Sequence, residues 1–296
     1  MKIQNHWLLA EGPSEKVTIK KSSNARDLID PDYLIIHYTA TDTASEAINW
    51  FMAVPPSNPD RIAAHIVIDT DGSITQLIPF NNRANHSGSS TWDDVDQMNY
   101  HSIGIELVNP GHVEKLANGS FRREKVAGVF KTYPADTAGI QKIKHKHRFW
   151  GASYWFSYPD AQLQALYKVS SSLIDKYQLI EAVGHDDVSP ARKSDPGPAF
   201  SWDKFREQAT KVFTHTGKIF TVNTEGTNFR SLPGTTTPVI KKLPKGYEVG
   251  LIKTNGQWSK VYLVNQLNDV RVIQNKKIRS IKILGWIHSS LLTVKA

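Results

Sequence analysis

No cysteine occurs among the 296 residues of the chain. Within these residues, this absence excludes disulfides, zinc–cysteine sites, iron–sulfur clusters and thiol nucleophiles, and they hold no cysteine for lipid modification. Any bound metal would therefore be held by histidine and carboxylate side chains. No window supplies the ~20 apolar residues of a membrane-spanning helix, and the apolar run within residues 1–10 is too short for a signal peptide.

Acidic residues are scarce in the last part of the chain. Residues 214–296 hold 13 Lys and Arg against 3 Asp and Glu, a net charge of +10, whereas residues 1–213 hold 23 against 25, a net charge of −2. The formal charge of +8 therefore belongs to the C-terminal part alone. Such a segment suits nucleic acid, an anionic membrane or an acidic wall polymer, and charge does not choose among them.

The residues that are present predict a packed α/β domain followed by a smaller one. The length is roughly twice that of a typical single domain, and 40% hydrophobic residues argue against long disorder. Strands and helices alternate before residue 180, which favours a mixed central β-sheet flanked by helices. The predicted elements are strands at 33–37 (YLIIH) and 102–107 (SIGIEL), a hairpin at 64–69 and 74–78 around Asp71-Gly72, and helices at 44–53 and 161–177.

Two further segments have their own patterns. Residues 109–158 show no periodicity and include the basic run KIKHKHRFW at 142–150, so we expect a long loop, either functional or a solvated insertion. From residue 219 onward, short β-rich runs separated by Gly and Pro predict a small antiparallel barrel. Its phrases NFRS (228–231), PKG (244–246) and GWI (285–287) resemble a bacterial SH3 (SH3b) domain.

Candidate catalytic residues lie at the end of the first buried strand and in a stiff later segment. His37 ends the YLIIH strand, where a lone histidine is usually a core residue. Residues 183–200 (VGHDDVSPARKSDPGPAF) carry His185 and Asp195 on a segment stiffened by Pro and Gly. Two imidazoles and one carboxylate form a complete ligand set for a catalytic zinc ion. Glu106, on the apolar SIGIEL strand, is either a solvated residue or a retained general base.

Five motifs, in order, resemble the zinc-dependent N-acetylmuramoyl-L-alanine amidases of the amidase-2 (AmpD/AmiD) family. They are LIIHYTA (34–40), AAHIVIDTDG (63–72), RANHSG (83–88), NYHSIGIEL (99–107) and GHDDVSPARKSDPGPAF (184–200). The resemblance covers about residues 31–203, interrupted by the 109–158 stretch. It implies three zinc ligands (His37, His185 and Asp195), the general base Glu106 and the oxyanion stabiliser Lys193.

The same resemblance implies substrate contacts. His65 and His86 lie in motifs that line the cleft of the family, and each is either a substrate contact or a core residue. Asn99 fits the family pattern, and the planar guanidinium of Arg83 suits a carboxylate of the stem peptide. By contrast, His145 and the neighbouring His147 lie among lysines and are expected to be solvated.

The resemblance predicts a peptidoglycan hydrolase that cleaves the amide bond between the lactyl group of N-acetylmuramic acid and L-alanine. Its domains would be an N-terminal segment (1–30), the zinc amidase domain (31–213, insertion about 110–158) and an SH3b-like wall-binding domain (219–296). The expected partners are peptidoglycan or muropeptides. A non-catalytic peptidoglycan-recognition protein and a phage-type lytic amidase are alternatives, while nucleic-acid binding rests only on the basic tail. We expect a periplasmic, envelope or secreted location, with a native signal removed, rather than a cytoplasmic one.

Overall fold

The computed structural model of the chain describes residues 1–147, 150–209, 218–264, 271–274, 277–280 and 283–295. The chain divides into two compact units, of which the first comprises residues 1–90 and 97–212 and the second comprises residues 91–96 and 213–296. The predicted domain end at residue 213 lies outside the described residues.

Short strands and few helices make up residues 1–209. The strands are β1 (Lys2–Gln4), β2 (Trp7–Leu9), β3 (Val17–Ile19), β4 (Tyr33–Tyr38), β5 (Ile66–Ile68), β6 (Ile74–Gln76), β7 (Thr91–Trp92), β8 (Val95–Asp96), β9 (Ser102–Leu107), β10 (His112–Lys115), β11 (Phe121–Val126), β12 (Val129–Tyr133), β13 (Ile140–Lys144), β14 (Ala152–Phe156) and β15 (Glu181–Gly184). The α-helices are α1 (Ala44–Met52), α2 (Asp160–Tyr177), α3 (His185–Val188) and α4 (Trp202–Ala209).

A six-stranded mixed sheet organises the first unit, in the order β15-β4-β9-β5-β6-β3. The strands β15, β4, β9 and β5 are parallel, and β5 and β6 form the predicted antiparallel hairpin. All of β9 and all but the last residue of β4 are buried, as expected for central strands covered on both faces. The prediction of a mixed sheet is confirmed. Strand β3 comes from residues 1–30, which the sequence placed outside the catalytic domain.

Helices α1 and α2 both contact β5. Thr43 caps α1 by accepting a hydrogen bond from the backbone N–H of Glu46, and the helix buries Ile48 and Phe51 in a cluster that includes Val67 of β5. Helix α2 buries Leu166, Val169, Leu173 and Ile174 of its predicted apolar stripe, whereas Leu163 is half-buried, and the helix ends at Gln178 in the left-handed region. No helix in the described ranges is long and apolar enough to cross a membrane.

The expectation of a long loop over 109–158 is wrong. This insertion forms a five-stranded antiparallel sheet in the order β12-β11-β10-β14-β13. Its small core contains Val113, Phe121 and Tyr133. Most side chains of β11, β12 and β13 are at least partly exposed, so few of their positions have to be apolar. For this reason the sequence shows no alternation of apolar and polar residues that would predict these strands.

The second unit contains a seven-stranded antiparallel sheet, which matches the β-rich texture of its sequence. The described strands after residue 217 are β16 (Ile219–Val222), β17 (Thr227–Arg230), β18 (Val239–Leu243), β19 (Glu248–Asn255), β20 (Trp258–Leu263), β21 (Arg271–Gln274), β22 (Lys277–Ser280), β23 (Leu284–His288) and β24 (Leu292–Val294). The order is β18-β17-β23-β20-β19-β16-β24, and Phe229, Val261 and Ile287 lie in its core. That this unit is an SH3-like barrel stays a prediction.

Candidate active site

Three neighbouring strands bring the candidate residues to one edge of the six-stranded sheet. In the parallel pair β4 and β9, His37 lies directly opposite Glu106. In the parallel pair β15 and β4, Gly184 lies opposite Ile36, and His185 follows Gly184 as the first residue of α3. The carboxyl ends of parallel strands share one sheet edge, which is where α/β proteins build their sites.

The segment after α3 returns to this edge and carries Asp195. The backbone N–H of Asp186 donates a hydrogen bond to the carbonyl of Asp195 at 2.7 Å. Only glycine fits at position 184, because a Cβ there would lie 2.1 Å from Oδ1 of Asp186 and 2.8 Å from Cδ of Pro196. The beginning of the segment, at Gly184 and Asp186, therefore packs closely against its end, at Asp195 and Pro196.

His37, His185 and Asp195 form a compact triad of possible metal ligands. The Nδ1 atoms of the two histidines are 2.9 Å apart, and Oδ2 of Asp195 lies 2.9 Å from Nδ1 of His37 and 3.0 Å from Nδ1 of His185. All three residues are buried. Two nitrogens and one oxygen that converge in this way match the protein ligands of a catalytic zinc site with one open position.

Hydrogen bonds on the far sides of the rings leave both Nδ1 atoms free to act as ligands. Nε2 of His185 lies 3.1 Å from the carbonyl oxygen of Ser87, which can only accept, so Ser87 favours the tautomer with the proton on Nε2. In that tautomer His185 presents an unprotonated Nδ1 to the triad.

The same conclusion follows for His37 through a chain of hydrogen bonds. The Ser102 hydroxyl donates to the carbonyl of Met98 and so accepts from Nε2 of His86, at 3.4 Å. Nδ1 of His86 then accepts from Nε2 of His37, at 3.1 Å. In these tautomers the two Nδ1 atoms and Oδ2 of Asp195 lie within about 3 Å of one another as potential ligand atoms, which is an arrangement that a cation stabilises.

Burial and neighbouring charges set the protonation states of the triad. Burial, and after it the nearby His185, lowers the pKa of His37 to about 4, so the ring is neutral at physiological pH. Burial alone would raise the pKa of Asp195, but the contacts with His185 and His37 hold it well below its usual range. The triad thus offers the carboxylate of Asp195 and the neutral imidazole of His37 in the forms that bind metals.

Glu106 and Lys193 are the charged groups that complete this edge. Glu106 is 7% exposed, and its Oε2 has no hydrogen-bond partner within the described part of the chain. Burial, followed by the negative charge of Asp195, raises the pKa of Glu106 to about 8, while Lys193 acts in the opposite direction. Lys193 is half-buried and lines the adjoining cleft.

The raised pKa of Glu106 predicts a pH-dependent loss of stability in metal-free protein. Between the ordinary pKa of 4.5 and about 8, the folded state keeps a proton that the unfolded state releases, so the free energy of unfolding falls as pH rises. We expect Glu106→Gln to abolish this pH-dependent loss. The free energy of unfolding of the variant, relative to that of the unaltered protein, should therefore increase by about a few kcal/mol from pH 5 to pH 8. Urea unfolding of both proteins in chelator measures it, and a constant difference would contradict it.

The predicted substrate residues divide into two pairs. His86 and Asn99 line a cleft of about 400 Å³ beside the triad. Oδ1 of Asn99 accepts hydrogen bonds from the backbone N–H groups of His86 and Ser87, and thereby shapes the cleft wall. The full lining comprises Asp60, Ile62, Asn85, His86, Gly88, Asn99, His185, Arg192 and Lys193.

His65 and Arg83 are not in this lining. His65 is fully buried, its Nδ1 accepts from the N–H of Gly104, and its Nε2 contacts the carbonyl of Asn82, so it is the core residue that the sequence left as an alternative. Arg83 pairs with the exposed carboxylate of Asp27 at 2.9 Å, and its role in binding a carboxylate of the stem peptide stays a prediction.

Two residues of the site were missed or misjudged from the sequence. Arg192 lines the cleft and donates to the carbonyls of Ser87 and Ser89; its position next to Lys193 is the signal that could have identified it. The expectation that His145 is solvated is wrong, since this side chain is 1% exposed. No local pattern revealed this, because burial of His145 depends on the fold of the insertion.

Comparisons with known proteins agree with this arrangement. Residues 27–198, more than half of the chain, match the family model Amidase_2, N-acetylmuramoyl-L-alanine amidase. The chain is 34% identical over 156 residues to the 1,6-anhydro-N-acetylmuramyl-L-alanine amidase AmpD of Escherichia coli, covering 52% of this chain and 62% of AmpD. It is 29% identical over 184 residues to the N-acetylmuramoyl-L-alanine amidase AmiD of the same organism, covering 59% and 52%.

The matched region spans about three fifths of the length of AmpD and about half of AmiD. Among solved structures, E. coli AmiD in complex with its substrate anhydro-N-acetylmuramic acid-L-Ala-D-gamma-Glu-L-Lys is similar with a TM-score of 0.44 and 26% identity, over 65% of this chain and 62% of that one. On the family match, which includes His37, Glu106, His185, Lys193 and Asp195, the chain belongs to the Amidase_2 family of N-acetylmuramoyl-L-alanine amidases.

Proposed function

We propose that this chain hydrolyses the amide bond between the lactyl group of N-acetylmuramic acid and L-alanine in peptidoglycan or its muropeptide fragments. The observation that carries the proposal is the convergence of His37, His185 and Asp195 within about 3 Å, beside the buried carboxyl of Glu106. Amide hydrolysis needs an activated water, a base and a group that stabilises the developing oxyanion, and this edge of the sheet holds residues for each need.

Zinc is the metal that we propose for the triad. Two imidazoles and one carboxylate are ligands that zinc accepts, and the lack of cysteine leaves no thiolate to compete. A zinc ion bound there would supply Lewis-acid chemistry and lower the pKa of a bound water toward ~7. The chain's part is to keep both Nδ1 atoms unprotonated, through Ser87 and His86.

Glu106 is the residue that we propose as general base. Its side chain lies on the same sheet edge as His37. Its pKa is raised to about 8, close to neutral pH, and a base with such a pKa can both accept a proton and return it. A bound cation would favour the ionised carboxylate, which can then accept a proton from water and deliver it to the leaving amine. Its free Oε2 is the atom for this transfer.

Lys193 is the residue that we propose for stabilising the oxyanion. It lines the cleft as a half-buried cation, two positions before Asp195, where it can approach a carbonyl oxygen bound near the triad. In the same cleft, His86 and Asn99 form part of the wall against which the sugar or stem peptide would lie. We propose no substrate contact for His65.

Mass spectrometry of products tests this function. Intact sacculi and purified muropeptides are incubated with protein that is metal-free or loaded with zinc, and we expect free stem peptides that begin with L-alanine only in the loaded samples. Binding of muropeptides without cleavage in the zinc-loaded sample would contradict hydrolysis and favour the recognition-protein alternative. Products cut at another bond would contradict the assigned linkage.

We propose that the second unit is an SH3b-like module that holds the enzyme on the cell wall. The basic charge of residues 214–296 suits an anionic wall polymer, and a tethered catalytic domain experiences a higher effective concentration of substrate. We further propose that the chain acts in the periplasm or the cell envelope, or after secretion, because a wall polymer would be its substrate.

Truncation after residue 213 is expected to separate binding from catalysis. The shortened protein should hydrolyse soluble muropeptides at the rate of the full chain but sediment less with sacculi. A targeting module increases binding to polymeric peptidoglycan and does not change the hydrolysis of small substrates. Moderate salt should lower the fraction of the full chain that sediments with sacculi, because salt screens the electrostatic part of the attraction. Equal sedimentation of the two proteins, or an unfolded truncated protein, would contradict the targeting role.

A further inference from the structure

His145 is a buried histidine that the proposed chemistry does not use. It lies just after β13 in the insertion, and its side chain is almost completely inaccessible. Nδ1 accepts a hydrogen bond from the backbone N–H of His147 at 3.0 Å, so Nε2 is the donor of this ring. This Nε2 lies 3.1 Å from the carbonyl of Ser194 and 3.2 Å from Oδ2 of Asp186.

These two acceptors are direct neighbours of two proposed zinc ligands. Asp186 follows His185, and Ser194 precedes Asp195. The imidazole of His145 therefore contacts both ends of the 185–195 segment. The same two ends are also joined by the hydrogen bond from the N–H of Asp186 to the carbonyl of Asp195. Asp186 is 2% exposed, so the interaction with His145 is formed away from water, where an unpaired acceptor is costly.

Other side chains of the insertion contact the same segment. Lys146 forms an ion pair of 3.0 Å with Asp186, and the ring of Trp155 packs against Gly197, where an added Cβ would lie 3.0 Å from it. Further along, the Trp150 indole donates to the carbonyl of Pro190 and the Tyr158 hydroxyl donates to that of Pro196. The insertion thus contacts the 185–197 segment along most of its length.

We propose that the insertion is a brace for the metal site and that His145 is its central positioning residue. Three donor atoms bind a metal tightly only if the backbone already holds them at the right separation, because ordering a loop during binding costs conformational entropy. By fixing Ser194 and Asp186, His145 holds Asp195 and His185 in the ligand-competent arrangement. The inference rests on the proposed zinc site and assigns a role to residues 110–158 within it.

Four variants test the brace. His145→Phe keeps the ring volume and its packing against Trp155 but removes both hydrogen bonds, whereas His145→Gln places an amide N–H near the position of Nε2. His145→Ala removes ring and hydrogen bonds together. His147→Ala is the matched control, because this neighbouring histidine is more exposed and its hydrogen bond to His145 comes from the backbone N–H, which the change retains. The change removes only its ring contact with His145, at 5.5 Å between centroids, and its 4.0 Å approach to Asp187.

Zinc affinity is measured by competition with a chromophoric chelator, the visible spectrum of Co²⁺-substituted protein reports ligand geometry, and thermal unfolding of metal-free protein reports packing. We expect His145→Phe and His145→Ala to bind zinc about 10-fold to 100-fold more weakly, as is typical when groups behind the ligands are lost. Their Co²⁺ spectra should change. His145→Gln should recover most of the affinity, and His147→Ala should match the unaltered protein.

Unchanged zinc affinity and an unchanged spectrum in His145→Phe would overturn the proposal, and so would equal losses in His145→Phe and His145→Gln. If His145→Ala does not fold, the comparison of zinc affinity between His145→Phe and His145→Gln still tests the proposal. An unaltered protein that binds zinc but releases no stem peptide would refute the proposed hydrolysis, whereas the zinc affinities of the variants would still test the brace.

Discussion

Asp195→Ala protein is expected to retain no stoichiometric zinc and to have no amidase activity. Asp195 is the only carboxylate of the triad, and its Oδ2 contacts both histidine Nδ1 atoms. Without it, two imidazoles remain, and neither supplies the negative charge that offsets the cation. Elemental analysis after dialysis against dilute zinc measures the loss.

The thermal response to zinc provides a second readout of the same change. A ligand at 1,000 times its dissociation constant stabilises a protein by about 4 kcal/mol, so unaltered protein should unfold at a higher temperature when zinc is added. Asp195→Ala should show no such rise. Asp203→Ala, at a fully exposed aspartate, is the control and should bind zinc normally. Stoichiometric zinc in Asp195→Ala would refute the assigned ligand set.

Glu106→Gln protein is expected to bind zinc with unchanged stoichiometry but to turn over about 10²-fold to 10⁴-fold more slowly. The amide has nearly the same shape as the carboxyl and no charge, so it fits the buried site opposite His37. It cannot accept the proton of the attacking water, and loss of a general base costs a factor of this size. Initial rates on a soluble muropeptide, with metal content measured on the same sample, give the result.

Glu114→Gln is the matched control, because Glu114 lies on β10 with its side chain 62% exposed and pairs only with Arg122 among the described residues. This variant should keep full activity. Near-normal turnover in Glu106→Gln at full zinc occupancy would move the role of general base to another group.

The local elements that position the site could be predicted from the sequence. The run YLIIH is apolar and β-branched, Asp71-Gly72 supplies the turn of a hairpin, and the stripe of 161–177 has helical spacing. Each of these signals lies within one segment and depends on side chains only a few residues apart. For that reason β4, the β5–β6 hairpin and α2 form where they were expected.

The insertion could not be predicted in this way. Strands β11 to β13 are rich in Lys and Arg and have much of their surface exposed, so no alternation of apolar and polar residues marks them. They are strands because they pair with one another and with β10 and β14. Pairing is a property of two segments together, which the composition of either one does not reveal.

Residue types and their motifs were thus sufficient to propose the triad, Glu106 and Lys193 as site residues, because this chemistry requires particular side chains in a recurrent order. Tertiary structure alone decided which other polar residues are buried and what they contact. His65 has both ring nitrogens engaged in the core, Arg83 is paired with Asp27, and His145 contacts the segment between His185 and Asp195. The physical reason is that burial and hydrogen-bond partners depend on residues distant in sequence, which only the folded chain brings together.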